Sequence, residues 1–553
     1  MFCPLDCWDS CNLELKNSKF KGDGFSPYLC WKLNNYFKFP RETSSKINSD
    51  NIMLNEELKK LAEILKKADP KRILFIKGSG NMGLMQNITK LFFEKYGATF
   101  AVGSTCDGIG EMGIIKGRGK SLIFPTWIIK NAKNVIIWGR NPYVTNIHLL
   151  DLIRNKSVLT IDAIKTKTAK NSHFLQVKPN SDYFLALLLS KLVFEKNLVK
   201  RSDGIGFDKF KQIVDSYSEN ELIEKCGVNL EKAEFLLQKL LEGAVILEGL
   251  GVAKCKECWK TAWAIDSLGY MLDLFGKKDM GVAFLGSSTF GLNNPFKIEH
   301  KNKVPLFDVN LDDYDVVFIQ GANPLISFVN RQQWEKLKEK MTVVFGKYYD
   351  ETAKIAKLFI PTKDFYEKKD IRGSYFHEFV LKNEKCKVKN EECISEYELT
   401  KFLFDEFEFN GLKSEDEYLD ELAKNVEWID DEFGINPAVN KIPYKNGFFT
   451  EDKKFYFLNE NFKYTKKEFE IVTAKEAKAL NSQFQRDENI YINSKSKNIM
   501  LNWIKKNIGI NRVKFSEDIP ANIIFAKGGR IINNFLKSKG KNAYYEWIEN
   551  ENI

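Results

Sequence analysis

Histidine and long apolar runs are scarce in this 553-residue chain. Only four histidines are present, which argues against a metal site built mainly from imidazole. No apolar run reaches the ~18 residues of a membrane-spanning helix. No signal peptide or twin-arginine leader precedes Cys3. We therefore expect a cytoplasmic location, where thiols stay reduced and disulfides are rare.

Long basic runs and alternating aromatic and basic residues are also missing, so nothing indicates a nucleic-acid partner. The net charge is nevertheless +10. This charge is typical of a lysine-rich solvated surface, and it also suits anionic ligands such as pyrophosphates. A chain of this length predicts three to five domains of roughly 100–200 residues each.

Cysteine is concentrated at the start of the chain. Cys3, Cys7, Cys11 and Cys30 are four of its ten cysteines and have the spacing C-x3-C-x3-C-x18-C. Such a quartet binds zinc or an iron–sulfur cluster, or is a set of free thiols. Structural zinc sites usually use two short cysteine pairs. Here three cysteines share one loop, which favours a [4Fe–4S] cluster that relays electrons.

A glycine-rich turn follows the first predicted buried strand, Arg72–Lys77. Gly78, Gly80 and Gly83 form G-x-G-x-x-G ahead of a predicted helix. Glycines at such a turn let backbone amides approach a pyrophosphate at the helix N-terminus. A nicotinamide site stays open as an alternative. It is weakened because the acid expected at the end of the next strand comes late, as Asp107.

These strand–glycine signals occur twice in the same order. GSG is followed by a strand ending in GRNP, and GLG is followed by a strand ending in GANP. The repeat predicts two halves with similar nucleotide sites related by a pseudo-twofold axis. Ligands of parallel sheets bind at such strand ends. The residues concerned are Gly139, Asn141, Pro142, Gly249, Gly251, Gly321, Asn323 and Pro324.

Two acidic residues follow further strand-like segments. Asp162 ends VLTID, and Asp182 follows LQVKPNS. A carboxylate at a strand end can accept hydrogen bonds from the amino edge of guanine. A helix N-cap is the ordinary alternative for each residue.

Together with further segments, these motifs resemble prokaryotic molybdopterin oxidoreductases of the dimethyl-sulfoxide-reductase superfamily. The resemblance spans most of the chain in family order: CPLDCWDSC, LCWK, GSGNMG, GSTCDGIGEMG, IIWGRNPYVTNIH, TIDAIKTKTA, VKPNSD, GLG, IQGANPLIS, FYEKKDIRGSYFHEFV and LNSQF. It implies two pyranopterin guanine dinucleotides around one molybdenum or tungsten. The implied reaction moves two electrons, with oxygen, sulfur or hydrogen, to or from a small molecule.

The resemblance also implies roles for individual residues. Cys3, Cys7, Cys11 and Cys30 would ligate the cluster, and Lys32 would lie between cluster and pterin on the path to a redox partner protein. One dinucleotide would be held by Gly139, Asn141, Pro142, Asp162 and Asp182. Gly249, Gly251 and Asn323 would contact the other. Further implied contacts are Gly78, Gly80, Asn81, Gly83, Gly321, Pro324, Asp370, Tyr375, His377, Thr473, Asn481, Ser482 and Gln483.

Cys106 falls where cysteine-ligated members of this family place the protein ligand to the metal. Gly113 follows it seven residues later, as in their pattern. The alternative is a small buried core cysteine. Asp107 stands where formate dehydrogenases have a histidine, which puts formate in doubt.

By the same resemblance the fold is α/β with parallel sheets. The expected domains are an iron–sulfur domain (1–47), a discontinuous pterin-binding domain (48–125 and 320–450), a guanine-dinucleotide-binding domain (126–319) and a shortened, β-rich, barrel-like C-terminal domain (451–553). Molybdenum and tungsten use the same ligands, and the loops above the metal carry no readable substrate code.

Two rival functions fit parts of the sequence. An electron-transfer subunit resembling the large iron–sulfur subunit of NADH dehydrogenase would keep this fold without the metal. An NAD-dependent dehydrogenase would use GSGNMG alone. One further motif is unassigned: Cys255 and Cys258 form C-x-x-C. We expect them to be cysteines on a helix face, with a redox pair as the alternative.

Overall fold

The computed structural model describes residues 1–463, 467–496, 498–542 and 546–547. Its β-strands are β1 Leu13–Lys16, β2 Lys19–Gly22, β3 Ser45–Ile47, β4 Asp50–Ile52, β5 Ile73–Lys77, β6 Thr99–Val102, β7 Asn134–Trp138, β8 Ser157–Asp162, β9 His173–Gln176, β10 Ala244–Glu248, β11 Gly281–Ala283, β12 Lys303–Pro305, β13 Val316–Gln320, β14 Met341–Gly346, β15 Leu358–Pro361, β16 Asp370–Arg372, β17 Phe379–Asn383, β18 Glu427–Trp428, β19 Phe433–Ile435, β20 Glu470–Ala474, β21 Ala479–Leu480, β22 Gln483–Phe484, β23 Ile490–Ile492, β24 Val513–Phe515, β25 Ile523–Lys527, β26 Leu536–Lys537 and β27 Glu546–Trp547.

The α-helices are α1 Trp31–Asn34, α2 Leu54–Lys67, α3 Thr89–Tyr96, α4 Gly108–Arg118, α5 Thr126–Asn131, α6 Pro142–Thr145, α7 Leu149–Ile153, α8 Asp182–Glu195, α9 Phe207–Asp215, α10 Glu219–Cys226, α11 Leu230–Leu241, α12 Trp259–Met271, α13 Pro324–Ser327, α14 Arg331–Glu335, α15 Glu351–Ile355, α16 Glu396–Glu406, α17 Glu415–Ala423 and α18 Asn498–Asn507. Within the described ranges, no helix is long and apolar enough to cross a membrane.

The larger of two central sheets has the strand order β12-β6-β5-β13-β14-β15-β3-β4. It is parallel from β12 to β15, and β3 and β4 add an antiparallel edge. Its middle strands are almost wholly apolar because both faces are covered. Phe75 and Phe318 pack on one face against Phe93 of α3, whereas Ile319 packs on the other face near Trp334 of α14.

The second central sheet is entirely parallel, with the order β11-β10-β7-β8-β9. Helices α8 and α12 pack on the face that carries Ile136 and Ile246. Helices α5 and α7 pack on the opposite face against Ile137 and Leu247. The two covered parallel sheets confirm the α/β class predicted from the sequence.

Strand pairing groups the glycine turns in pairs. In chain order GSG is followed by GRNP and GLG by GANP, whereas the expected domain limits place GSG with GANP and GRNP with GLG. In the structure β5, which ends in GSG, pairs in parallel with β13, which ends in GANP. Likewise β10, which ends in GLG, pairs with β7, which ends in GRNP. Each sheet therefore contains one turn of each kind, because strands distant in sequence become neighbours.

The N-terminal cysteines lie beside the hairpin β1–β2. At the other end of the chain, β20, β25, β23 and β24 form a mixed sheet, which agrees with the β-rich C-terminal region expected. Strands β12 and β13 already belong to the eight-stranded sheet, before the predicted domain boundary at residue 320. The domain limits themselves stay predictions.

Candidate functional site

The four N-terminal cysteines converge in one largely buried place. Cys3 donates its backbone N–H to the carbonyl of Cys11 at 2.8 Å, and Cys30 immediately precedes α1. All four are free thiols. Burial raises the pKa of the Cys3 thiol to about 12, and the nearby Cys30 thiol also raises it. Burial likewise raises the pKa of Cys7 and Cys11, with neighbouring thiols adding to both shifts. A cationic metal or cluster would favour the thiolates here.

Arg372 at the end of β16 holds the cysteine loop. Its guanidinium donates to the carbonyls of Cys3 and Leu5, the second at 2.9 Å. It also donates to the carbonyl of Cys7 at 3.0 Å. The side chain is 1% exposed, and its positive charge lowers the pKa of Cys3. Arg372 was missed because only the folded chain brings it to a loop more than 360 residues away.

His148 and Asp9 extend the same site and were also missed. His148 Nε2 lies 3.4 Å from Cys11 Sγ. Asp9 accepts from the side chain of Asn146 and from the backbone N–H of His148. Ligand atoms of Asp9, Cys11 and His148 all lie within 4.8 Å of one another and could hold a metal ion. Since Cys11 belongs to the thiol quartet, these groups are part of that site. The only sequence signal was the position of His148 within IIWGRNPYVTNIH.

Two joined clefts lie beside the cysteine loop, at the carboxyl edges of the two sheets. The first cleft opens at the eight-stranded sheet and the second at the five-stranded sheet. They contain about 1250 and 2170 Å³ of empty space, including space open to solvent. Both clefts are lined by Asp6, Ser79, Thr105, Ser327, Leu480 and Asn481.

Most predicted ligand contacts line one cleft or the other. The first cleft is lined by Gly78, Gly80, Asn81, Gly321, Asn323, Asn481, Ser482 and Gln483. The second is lined by Lys32, Cys106, Gly139, Asn141, Asp162, Asp182, Gly249, Gly251, Tyr375, Thr473 and Asn481. The predicted residues that line neither are Gly83, Pro142, Pro324, Asp370 and His377.

The grouping of the second dinucleotide's contacts needs correction. Gly249 and Gly251 were expected to share a ligand with Asn323. They lie in the second cleft with Gly139, whereas Asn323 lines the first. A Cβ atom on Gly249 would come 2.3 Å from the carbonyl oxygen of Gly139, because β10 and β7 are neighbours. A Cβ on Gly78 would likewise come 2.3 Å from the carbonyl oxygen of Gly321.

The two GxNP turns have nearly the same backbone conformation. Asn141 has φ −127° and ψ 75°, and Asn323 has φ −125° and ψ 77°. Each asparagine amide is bound by its own surroundings. Asn141 Oδ1 accepts from Thr168 Oγ1 at 2.7 Å, and Asn323 Oδ1 accepts from Thr352 Oγ1 at 2.7 Å. The following prolines, Pro142 and Pro324, begin short helices rather than facing a cleft.

Asp162 and Asp182 are the acidic groups at the far side of the second cleft. Asp182 accepts a hydrogen bond from Trp138 Nε1 at 2.7 Å, and burial raises its pKa to about 6. Burial raises the pKa of Asp162 to about 7, with a smaller contribution from Asp182. Asp182 is the first residue of α8 and Ser181 is the N-cap, so the alternative of an N-cap role for Asp182 is not what the structure shows, although its carboxyl lies at the positive end of the helix. Both carboxyls can accept hydrogen bonds from a ligand in the cleft.

Lys32 connects the cysteine site with the second cleft. The side chain is 5% exposed, and its Nζ donates to the carbonyl of Ala477 at 3.2 Å. Its charge lowers the pKa of both Cys3 and Cys7, which places the ammonium near the thiols. Lys32 also lines the second cleft. A charged group therefore lies between the two regions.

Cys106 lies in the loop between β6 and α4 and lines the second cleft. Its backbone N–H donates to Ser104 Oγ at 3.1 Å. Burial raises the pKa of the Cys106 thiol to about 12, and the carboxylates of Asp107 and Asp6 also raise it. Without a cation the group is a neutral thiol at ordinary pH.

The segment after β16 supports the cysteine loop. Tyr375 donates to Asp6 Oδ1 at 2.8 Å, and His377 Nε2 donates to the carbonyl of Asp9 at 2.6 Å. Burial lowers the pKa of His377 to about 3, so the ring is neutral. Asp370 instead accepts from the backbone N–H of Met85 at 2.8 Å. Of these three predicted pterin contacts, only Tyr375 reaches a cleft.

Comparison with known proteins identifies the class. Residues 53–400 match the model of the family described as molybdopterin oxidoreductase. The chain belongs to this family of enzymes, which use molybdopterin with molybdenum or tungsten.

Several individual proteins are similar to the chain. It is 28% identical to "Probable oxidoreductase YyaE" of Bacillus subtilis (strain 168), over 78% of this chain and 76% of that protein. It is 25% identical to "F420-dependent formate dehydrogenase subunit alpha" of Methanocaldococcus jannaschii, over 43% and 42%. Its fold resembles that of acetylene hydratase from Pelobacter acetylenicus, with a TM-score of 0.70, 13% identity, and 96% and 93% of the two chains covered.

Proposed function

We propose that this oxidoreductase holds one molybdenum or tungsten between two pyranopterin guanine dinucleotides. Electrons would pass between this metal and a [4Fe–4S] cluster in the same protein. When bound, the metal would supply a two-electron exchange of oxo, sulfur or hydrogen with a small-molecule substrate. The observation that supports the proposal most is that Cys7, Lys32 and Cys106 all line the second cleft.

Cys3, Cys7, Cys11 and Cys30 would ligate the cluster. Their thiols interact with one another, and burial opposes their ionisation, so an iron cluster would compensate their charge. Arg372 reinforces this compensation, because it lies behind the loop and favours the anionic form of Cys3. Three ligands on one short loop support a cluster in preference to zinc.

The first and second clefts would each receive one dinucleotide. Both end at paired glycine turns where backbone can approach a pyrophosphate closely. Lys347 and Lys363 line the first cleft, where each is paired with an acidic residue, Asp364 or Glu398, so this cleft presents charges of both signs. Asp162 and Asp182 line the second, where they would accept from the guanine amino edge. A ligand donor at these carboxyls would favour their ionised form and so counteract the effect of burial on their pKa.

Cys106 would be the protein's own ligand to the metal. Its position in the second cleft and its part-buried thiol support this role. Since the thiol's pKa is raised, binding would release a proton from Sγ as the thiolate forms. Asp107 follows Cys106 where formate dehydrogenases of this family carry histidine. We therefore do not extend the formate chemistry named for the archaeal relative to this chain.

Lys32 would lie on the electron path between pterin and cluster. Its ammonium is near the thiols and also lines the cleft. The remaining cysteines form no second quartet in the sequence, so a separate redox protein would carry electrons onward. The proposed path therefore ends at the cysteine loop.

Elemental analysis of anaerobically purified protein tests the proposal. We expect about four iron atoms per chain, together with molybdenum or tungsten and extractable guanine dinucleotide. Iron without molybdenum or tungsten would instead support an electron-transfer subunit. Zinc without iron would exclude both functions. Nicotinamide binding without pterin would support the dehydrogenase built on GSGNMG.

A further inference from the structure

A disulfide joins Cys255 and Cys258 immediately before α12. The expectation of unpaired cysteines on a helix face is corrected. The two residues lie in a turn that the backbone N–H of Cys258 closes onto the carbonyl of Cys255 at 3.1 Å, so their Cα atoms are 5.0 Å apart. The metal and cluster chemistry proposed above does not use this pair.

The two sulfurs differ in access. Cys258 is 1% exposed, whereas Cys255 is only partly buried. An incoming thiolate can therefore reach Cys255 more readily, with Cys258 as the sulfur that leaves. This asymmetry suits a pair in which one cysteine reacts with a partner and the other resolves the mixed disulfide.

Two neighbouring lysines and a helix end favour the thiolates of such a pair, whereas Glu257 between the cysteines opposes them. Lys254 and Lys256 flank Cys255 in sequence, and Cys258 is the N-cap of the 13-residue helix α12. Positive charge and a helix N-terminus both stabilise thiolates. The bond closes a loop of only four residues, so it restricts the unfolded chain little. A purely stabilising role therefore explains the bond poorly.

The disulfide is also adjacent to the second cleft. Lys254 and Asn180 line that cleft, and Cys258 Sγ lies 3.8 Å from Asn180 Oδ1. The residue after Cys258 packs on the helix that follows Cys106. A Cβ on Gly113 of α4 would come 1.9 Å from the carbonyl oxygen of Trp259. Movement of the C-x-x-C turn would therefore displace Lys254 and Asn180, which line the cleft, and also helix α4, which follows Cys106.

We propose that Cys255–Cys258 is a redox-active disulfide whose reduction by a dithiol alters the second cleft. A thiolate of the reductant attacks Cys255 Sγ, and Cys258 leaves as a thiolate that takes up a proton. The reductant's second thiol then attacks the mixed disulfide and releases Cys255. Two electrons pass to the protein, two thiols form, and the reductant becomes a disulfide. The proposal is independent of which metal the enzyme holds.

The test equilibrates the native holoenzyme in mixtures of reduced and oxidised dithiothreitol. After an acid quench, alkylation and peptide mass analysis give the thiol-to-disulfide ratio. A two-electron couple changes this ratio tenfold for every ~30 mV. We expect this titration for the wild-type protein, and its loss in Cys255→Ser and Cys258→Ser. The exposed-cysteine control Cys386→Ser should titrate as the wild type does.

A pair that stays oxidised or stays reduced in every buffer would overturn the proposal, even if the serine variants fail to fold. Coupling to the cleft is measured separately by hydrogen exchange. Reduction should change exchange rates several-fold in residues 104–113 of the wild-type protein. Equal rates in both redox states would refute the coupling. Metal and iron contents are measured on the same samples, so failure here is distinguishable from failure of the proposed cofactor assignment.

Discussion

Replacing Arg372 by methionine should release the cysteine loop while keeping most of the buried side-chain volume. The guanidinium makes three hydrogen bonds to loop carbonyls, those of Cys3, Leu5 and Cys7. A hydrogen bond from a charged donor contributes about 1.5–3 kcal/mol. Three such bonds give about 4.5 kcal/mol at the low end, although they are not strictly additive. This is comparable to the whole net stability of many domains, about 5–15 kcal/mol.

The expected result is local rather than global unfolding, because Arg372 binds the carbonyls of the cysteine loop, whose residues pack in a cluster separate from the cores of the two central sheets. Amide hydrogen exchange in residues 1–34 should accelerate, and iron per chain should fall after anaerobic purification. Arg372→Lys keeps the charge near Cys3 but has fewer fixed donors, so it should retain an intermediate amount of iron. The control is Arg72→Met, which removes an exposed arginine paired with Asp315 and should change neither measurement.

Full iron content and unchanged exchange in Arg372→Met would refute this reasoning. That outcome would mean that the loop carbonyls find other partners, or that the loop is held by its own hairpin. An equal loss of iron in Arg372→Lys and Arg372→Met would show that the shape of the guanidinium fork matters, and not the charge. Circular dichroism on the same samples separates loss of the loop from loss of the fold.

Three further predictions concern the clefts. Cys106→Ser should lose molybdenum or tungsten but keep iron, whereas Cys386→Ser keeps both; elemental analysis decides. Gly78→Ala should lower the free energy of unfolding by about 1–3 kcal/mol, because the added Cβ would come 2.3 Å from a backbone carbonyl oxygen. In the control Gly346→Ala the Cβ would meet a methyl group at 3.6 Å, so urea unfolding should change little. Asp182→Asn keeps the Trp138 bond. In cofactor-free wild-type protein the raised pKa, about 6 against about 3.9 unfolded, means that the folded state binds more protons. Asp182 should therefore contribute a fall of at most about 3 kcal/mol in the unfolding free energy as pH rises from about 4 to about 6. Other buried carboxyls with raised pKa values, such as Asp162 and Asp370, add to the total pH dependence, so the variant should reduce the slope in urea titrations by the Asp182 share alone.

Local patterns were predictable, because a few neighbouring residues in the sequence determine each of them. The cysteine quartet, the GxNP turns and the buried strands of both parallel sheets are of this kind. The matching conformations of Asn141 and Asn323 follow from the shared Gly-x-Asn-Pro pattern in the same strand-end context. The placement of Lys32 near the thiols likewise follows from its position two residues after Cys30, at the beginning of α1.

Contacts between distant parts of the chain were not predictable from periodicity or spacing. The sequence order of the turns suggested two successive halves, but the pairing of β5 with β13 depends on which apolar strands pack together across some 240 residues. Arg372 and His148 were missed for the same reason. Each looks like an ordinary polar residue in the sequence. Folding brings it to the cysteine loop, where burial lowers the local dielectric constant and strengthens its hydrogen bonds.

The paired turns also limit what each side chain can recognise. Gly139 and Gly321 have φ of 63° and 59°, a region that favours glycine, and they set the same backbone course in both sheets. The asparagines that follow are bound to Thr168 and Thr352, so their amides fix the turns before any ligand arrives. Recognition common to both clefts must then come mainly from backbone groups at the strand ends. Discrimination must come from the residues that differ, because side chains of both charges line each cleft: Asp350 and Asp364 with lysines in the first, and Asp162 and Asp182 with Lys32 in the second. Two similar ligands would thus be held alike at their shared pyrophosphate and differently beyond it.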